Sequence, residues 1–219
     1  MEPTQQTIIA EQLFRSPSVW DFEFGKWFYE KYKKMPGSQH IATDRALAYL
    51  SACLTIFKPK TVLELGSGIG TMTDAMLMHP YRPNLLYAIE QNNFCQNALR
   101  SNLSHHDRSC WQLITTIEEL SAANITEKID MYVGDGGFYL AEEMAGAHLG
   151  TVFFAEGDRK RLRSIFADNL HAEWHVEWQE FGESHKWALR RIWRLHLPCP
   201  KRVRLKGCWI GQVTTKSND

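Results

Sequence analysis

The chain has 219 residues, 44% of them hydrophobic, and its acidic and basic side chains balance to a formal net charge of zero. This composition suits one folded domain with a full core. No run reaches the roughly 18 apolar residues that a membrane-spanning helix needs. The five cysteines lie apart without a C-x-x-C pair, which favours reduced thiols. The polar N-terminus also lacks a signal-peptide pattern, so we expect a cytoplasmic protein outside the membrane.

The charge is unevenly distributed along the chain. Residues 1–157 carry a balance of −6, and residues 158–206 carry a balance of +6. A basic C-terminal part could attract an anionic substrate. Solvated faces and internal ion pairs explain such a pattern equally well.

The N-terminal part is predicted to be helical and rich in aromatic residues. After a lead-in over residues 1–17, Ser18 and Asp21 resemble a capping box. They predict a helix over about 18–34 that ends before Pro36. Its aromatic side chains could belong to the core, to a lid over a binding site, or to the interface of a homodimer.

A second helix is predicted over about 44–57, and the most informative stretch of the chain follows it. The apolar run 62–65 is typical of a buried strand, and it ends in three glycines that alternate with other residues. A helix over 71–78 and a second strand over 85–89 are predicted next. Strand, glycine loop and helix together form a corner that binds nucleotides through backbone N–H groups.

The residues around this corner indicate which nucleotide it binds. The glycines fall as G-x-G-x-G, and Thr71 stands where the third glycine of a dinucleotide fingerprint would be. Glu64, at the strand end, would repel a pyrophosphate but attract the ammonium and sulfonium groups of S-adenosylmethionine. Glu90 follows the second strand, where a carboxylate can bind two ribose hydroxyls. The pattern therefore favours S-adenosylmethionine over NAD.

The segment from Glu64 to Gly70, with Glu90 behind it, resembles motif I and the following acidic motif of class I S-adenosylmethionine-dependent methyltransferases. The small-molecule, catechol-type O-methyltransferases are the nearest of these, and the resemblance covers roughly residues 36–196. It implies an α/β, Rossmann-like, seven-stranded and mostly parallel sheet with a C-terminal antiparallel hairpin and helices on both faces. A glycine turn in another doubly wound fold, which binds NAD, FAD or nothing, is the alternative.

The resemblance also implies a division of the chain and a set of cofactor contacts. Residues 1–35 would form an N-terminal helical lead-in or lid, and residues 36–219 the S-adenosylmethionine-binding methyltransferase domain. The turn before the second helix would approach the methionine end of the cofactor, which makes His40 and Thr43 candidates there. Ile117 would cover a face of the adenine. The residues implied to contact the cofactor are Glu64, Gly66, Ser67, Gly68, Gly70, Glu90, Gln91, Ile117 and Asp135.

A fourth strand is predicted to end at Gly134, and Asp135 follows it where catechol-type enzymes bind magnesium with an aspartate. The next strand ends in Glu156-Gly157-Asp158, whereas those enzymes have Asp-Asn there. A divalent metal, Mg²⁺, is therefore an alternative that we do not favour. Without it, Asp135 would act as a general base or bind the substrate.

The C-terminal part completes the predicted sheet. Residues 173–181 alternate between apolar and polar side chains, and residues 186–196 form a second strand, so the two would pair as an antiparallel hairpin. His185 lies in the short loop between them. His185 and His40 join Asp135 as candidate catalytic residues.

Adjacent histidines occur at His105 and His106, directly before Asp107. Adjacent imidazoles do not easily face one ion, and no third histidine or cysteine stands at a ligand spacing. We interpret this segment as a polar loop, and we predict no metal ligands in the chain.

Together these observations predict an enzyme of EC class 2.1.1. It would transfer the methyl group of S-adenosylmethionine to a nucleophilic oxygen, or secondarily nitrogen, of a small acceptor that could be anionic. A nucleic-acid methyltransferase would use the basic C-terminal part as a phosphate track, but the sequence has no Asn/Asp-Pro-Pro-aromatic motif. A non-catalytic nucleotide-binding module would have a damaged glycine loop or lack the ribose acid, and neither is seen.

Overall fold

The computed structural model describes residues 17–116, 119, 129–134, 147–156, 174–181 and 208–215. In these ranges, seven strands form one sheet and four α-helices pack beside it. The strands are β1 (Thr61–Leu65), β2 (Leu85–Ile89), β3 (Trp111–Ile114), β4 (Met131–Gly134), β5 (Val152–Glu156), β6 (Trp174–Phe181) and β7 (Cys208–Thr215). The helices are α1 (Val19–Tyr32), α2 (Asp44–Phe57), α3 (Thr71–Met78) and α4 (Asn93–Asn102). None of these helices is long and apolar enough to cross a membrane.

The strands lie in the order β3-β2-β1-β4-β5-β7-β6. The first five are parallel, and β7 runs antiparallel to both β5 and β6. The predicted α/β, mostly parallel sheet is therefore confirmed. The chain leaves β1 on one side for β2 and β3, then returns to its other side for β4. Such a reversal of strand order opens a crevice at the carboxyl ends of the strands.

The C-terminal pairing differs from the predicted hairpin. The strand that pairs with β6 is β7, whereas residues 186–196, its expected partner, lie outside the described residues. β7 lies between two strands, and its side chains Cys208, Ile210 and Val213 are buried. We expected the partner in the segment that follows β6 directly in the chain. β7, which comes later in the chain, instead pairs along both of its edges, with β5 and with β6.

Helices α1, α2 and α4 each begin at a residue whose side chain caps the helix. Ser18 and Asp21 form the predicted capping box, since each backbone N–H donates to the other's side chain, at 2.8 and 3.2 Å. Thr43 caps α2 and Asn92 caps α4, because each side-chain oxygen accepts the backbone N–H three residues later. Satisfying these N–H groups is what fixes the start of a helix.

The core lies on both faces of the sheet. All four helices contribute to one face, where α1 buries Phe28 and Tyr32 against the sheet and its neighbouring helices. The other face carries Leu63 and Leu65 of β1 and is built, within the described residues, from strand side chains together with Ile129 and Ala147. The segments expected to place helices there lie outside the described residues.

A buried polar chain joins α1, α2 and the turn after α3. The Tyr81 N–H donates to His79 Nδ1 (3.1 Å), which assigns the ring proton to Nε2. Nε2 then donates to Ser51 Oγ (3.2 Å), and the Ser51 hydroxyl donates to Asp21 Oδ1 (2.5 Å). Burial lowers the pKa of His79 to about 4, and the nearby Asp21 offsets only part of that effect.

The His79 ring makes stability depend on pH. An unfolded chain binds a proton at this ring below pH ~6.5, whereas the folded chain resists protonation until about pH 4. We therefore expect the free energy of unfolding to fall as the pH drops through this window, by roughly 2 kcal/mol at pH 5. Denaturant titrations from pH 8 to pH 4.5 measure it. The His79→Gln protein should lack this component, so equal pH slopes in the two proteins would contradict the assignment.

Gly25 lies where α1 crosses α2. A Cβ atom at this position would press into the Asp44 carbonyl oxygen and come within 2.7 Å of Ala48 N, and both contacts are with backbone. We expect Gly25→Ala to lower the free energy of unfolding by about 2 kcal/mol in denaturant titrations. Gly68→Ala is the matched control, because its Cβ would meet nothing within 4 Å. The control should lose less, about 1 kcal/mol from its left-handed φ, and the reverse order would contradict the packing argument.

Candidate functional site

The glycine loop lies at the carboxyl end of β1, beside the crevice between β1 and β4. Gly66, Gly68 and Gly70 have φ angles of 79°, 56° and 93°, a region that side chains disfavour. The backbone N–H groups of Gly66 and Ser67 both donate to the Ile89 carbonyl oxygen at 3.0 Å. These bonds hold the loop against the end of β2, and α3 starts directly after Gly70.

Glu64 is fully buried one residue before the end of β1. Its Oε2 accepts the Thr73 hydroxyl at 2.6 Å, while its Oε1 has no hydrogen-bond partner among the described residues. Burial raises the pKa of Glu64 to about 7, the hydroxyls of Thr73 and Ser67 lower it in part, and the charge of Glu90 raises it further. The Ser67 hydroxyl is near this carboxyl group but falls short of hydrogen-bond geometry. A buried acid with one free oxygen is suited to a cationic ligand.

Glu90 lies over the glycine loop from the end of β2. Its Oε2 accepts the Gly68 N–H at 2.7 Å, and its Oε1 accepts the Asn92 N–H at 2.8 Å. Each carboxylate oxygen can accept a second hydrogen bond, so both remain able to bind hydroxyl groups. Gln91 follows as an exposed residue between the strand and α4.

Open space and unpaired polar atoms mark the loop as a place for a ligand. A Cβ at Gly68 would meet nothing within 4 Å, whereas one at Gly70 would lie 3.4 Å from Leu99. Thr71 Oγ1, at the start of α3, is buried without a partner among the described residues, as is Glu64 Oε1. Buried polar groups in native proteins are normally paired, so these atoms, which have no partner in the described part of the chain, fit a polar ligand.

The turn before α2 lies against the glycine loop. A Cβ at Gly37 would come within 2.7 Å of Ile69 and 2.8 Å of Phe94, so the backbone itself packs on both side chains. This contact covers one side of Phe94, whose ring is otherwise 53% exposed. His40 ends the turn as an exposed residue, and Thr43 is used as the α2 cap.

Three predicted site residues lie outside the described part of the chain, namely Ile117, Asp135 and His185. The end of β4 is described, and Gly134 lies beside Leu65 in the sheet. Glu156, at the end of β5, is fully buried. The other members of the alternative magnesium set are not described, so that set remains an expectation.

The sequence analysis missed two arrangements. One is the Thr73 hydroxyl on Glu64, for which a hydroxyl residue in the first turn after a glycine loop would have been the signal. The other lies on the outer side of α3, where Asp74 meets His105 and His106. No signal in the spacing could have linked this aspartate to the two histidines.

Comparison with known proteins assigns the architecture. No protein-family model matches the sequence, and a search of the curated proteins finds no match. Solved structures do match, and the fold is that of the class I S-adenosylmethionine-dependent methyltransferases. The identities are low, so the likeness concerns the fold.

Three of these structures are similar over nearly their whole length. An O-methyltransferase from Bacillus cereus, in complex with S-adenosylhomocysteine, is 14% identical with a TM-score of 0.56, over 91% of this chain and 92% of that one. An O-methyltransferase of tomaymycin synthesis from Streptomyces achromogenes, in complex with S-adenosylmethionine, is 12% identical with a TM-score of 0.55, over 98% and 99%. A protein from Pyrococcus horikoshii, assigned as an RNA methyltransferase, is 14% identical with a TM-score of 0.58, over 92% and 98%.

Proposed function

We propose that this protein is an S-adenosylmethionine-dependent methyltransferase that acts on a hydroxyl group of a small molecule. The observation that carries the proposal is Glu64, a buried acid beside the glycine loop whose Oε1 has no hydrogen-bond partner among the described residues. A carboxylate in this position opposes the pyrophosphate of NAD or FAD and favours a cationic amino-acid group. The likeness to methyltransferase structures supports the same cofactor.

Different residues of the site would bind different parts of the cofactor. Glu64 would accept the ammonium group, and Glu90 would accept the two ribose hydroxyls while it holds the Gly68 N–H. The glycine loop would let the backbone approach the ligand closely, because Gly68 has space where a side chain would stand. S-adenosylmethionine supplies an activated methyl group, and the protein's main contribution is to align the acceptor oxygen with it.

We propose that the methyl acceptor binds near the carboxyl end of β4. Asp135 follows Gly134 directly in the sequence, and Gly134 lies beside Leu65 at the end of β1. We propose Asp135 as the base that takes the hydroxyl proton, with His40 and His185 as further candidates. Magnesium held by Asp135 together with Glu156 and Asp158 is the alternative.

A nucleic-acid acceptor is the second candidate function. The basic balance of residues 158–206 favours it, and the Pyrococcus horikoshii neighbour has a similar fold. The exposed aromatic residues Trp20 and Trp27 of α1 favour a homodimer as a further proposal. The nucleic-acid acceptor and the homodimer are proposals about binding partners, and neither changes the proposed cofactor.

Calorimetric titration with S-adenosylmethionine and, separately, with NAD tests the proposal. We expect micromolar binding of S-adenosylmethionine and none of NAD. Folded protein that binds NAD, or that binds neither ligand, would overturn the proposal. Methyl transfer from labelled S-adenosylmethionine would then be measured with small hydroxyl compounds and with RNA, each with and without Mg²⁺. Transfer to RNA that falls steeply with salt would favour the second function.

A further inference from the structure

A cluster of metal-ligand side chains lies outside the proposed cofactor site. Asp74 of α3 is fully buried, and its Oδ1 lies 2.7 Å from His106 Nε2 and 3.5 Å from His105 Nε2. The three ligand atoms all lie within 4.8 Å of one another. The two imidazole rings are side by side, with centroids 4.1 Å apart and planes tilted by 39°. Adjacent histidines therefore do face one point here, which the sequence analysis considered difficult.

The three donor atoms are close enough to bind one small ion if the 2.7 Å hydrogen bond between Asp74 and His106 lengthens slightly. Donor atoms around a tetrahedral Zn²⁺ lie about 3.3 Å apart, because each Zn–N or Zn–O bond is about 2.0 to 2.1 Å long. The two imidazole nitrogens favour a borderline transition metal over Mg²⁺ or Ca²⁺, which prefer oxygen ligands. The exposed side of His105 leaves room for water as the fourth ligand.

The second oxygen of Asp74 is held in place by α1. Its Oδ2 accepts the Tyr32 hydroxyl at 3.0 Å and the Lys31 ammonium at 2.5 Å. Such outer hydrogen bonds orient a ligating carboxylate. The Lys31 side chain is 28% exposed, so its ammonium group can move toward water when a dication binds. Neutral histidines would only exchange the ring proton from Nε2 to Nδ1, so binding needs no change in their charge.

We propose that Asp74, His105 and His106 form a binding site for one Zn²⁺-class transition-metal ion. The ion would join α1, α3 and the turn after α4 through three side chains and their outer hydrogen bonds. The site is distinct from the proposed cofactor contacts but adjoins them, because Asn102 Nδ2 donates to the Ile69 carbonyl oxygen at 2.9 Å. Its role would be to fix the outer side of the glycine loop.

Titration of chelator-treated, desalted protein with Zn²⁺ alone tests the site. We expect one equivalent to bind with micromolar or tighter affinity and to raise the thermal midpoint. His105→Ala and His106→Ala should each weaken binding at least tenfold. His148→Ala is the matched control, because His148 also lies near an aspartate, 3.6 Å from Asp130, but belongs to no three-ligand cluster in the described part of the chain. This variant should bind Zn²⁺ as the unaltered protein does.

Titration with Co²⁺ separates this site from binding by cysteine. Visible absorption of a four-coordinate ion, without a thiolate charge-transfer band, is expected. Unchanged Zn²⁺ affinity in both histidine variants, a thiolate band, or no binding by folded protein would overturn the proposal. His105 is half exposed, so its variant tests the site without disturbing the core. S-adenosylmethionine binding is measured separately, and its outcome leaves the metal result unaffected.

Discussion

Replacing Glu64 by glutamine is expected to weaken S-adenosylmethionine binding about 100-fold at pH 8. The carboxyl group is buried, and one of its oxygens has no partner within the described ranges, so it would meet the ammonium group away from water. A charge-assisted hydrogen bond of this kind contributes up to about 3 kcal/mol. Glutamine has nearly the same shape but no charge, and its amide N–H groups would oppose the ammonium. Calorimetry on both proteins measures the difference.

The same substitution should remove a pH dependence. In the free protein the pKa of Glu64 is about 7, and a bound ammonium group favours the ionised form. Affinity should therefore rise with pH through 7 and level off above it, because below pH 7 binding must first release a proton. Titration of the ligand's own amino group affects both proteins equally, so the comparison isolates Glu64. Equal pH profiles in the two proteins would contradict the ammonium contact, and Glu30→Gln, an exposed acid on α1, should change nothing.

Replacing Glu90 by alanine is expected to weaken S-adenosylmethionine binding at least tenfold. The carboxylate is proposed to accept two ribose hydroxyls, and each such bond to a charged group contributes roughly 1.5 kcal/mol or more. Alanine also leaves the N–H groups of Gly68 and Asn92 without their present acceptor. Part of any loss could therefore come from the loop rather than from the ribose.

A second ligand separates these two causes. The unaltered protein should bind 2′-deoxy-S-adenosylhomocysteine about tenfold more weakly than S-adenosylhomocysteine, because one hydroxyl partner is missing. In Glu90→Ala the two ligands should bind nearly equally, since the carboxylate that distinguishes them is gone. A variant that still prefers the ribose ligand by the same factor would mean that Glu90 acts only on the loop.

Local signals account for the parts of the fold that the sequence predicted well. The helix over 71–78 and the strand over 85–89 have the predicted bounds, because glycine, proline and capping residues end them within one turn. Pairing between distant segments was harder to predict. The strand that pairs with β6 is β7, and no local pattern distinguishes its sequence from residues 186–196, which also contain several large apolar side chains.

The candidate site also contains residues that could be located from the sequence and residues that could not. Glu64 and Glu90 could be located from the sequence because each stands at the end of a strand and strand ends meet at one edge of a parallel sheet. Asp74, the partner of His106, could not be located from the sequence. It is 32 residues away, and only tertiary packing decides which face of α3 meets the histidines.

The burial of α1 has a consequence for how the chain can be trimmed. A protease product that begins at Pro36 would lose Phe28 and Tyr32 from the core and would leave Asp74 without its two donors from α1. The first helix is therefore an integral part of the folding unit rather than an appendage. Losing the helix in the course of evolution would require new partners for the buried charge of Asp74.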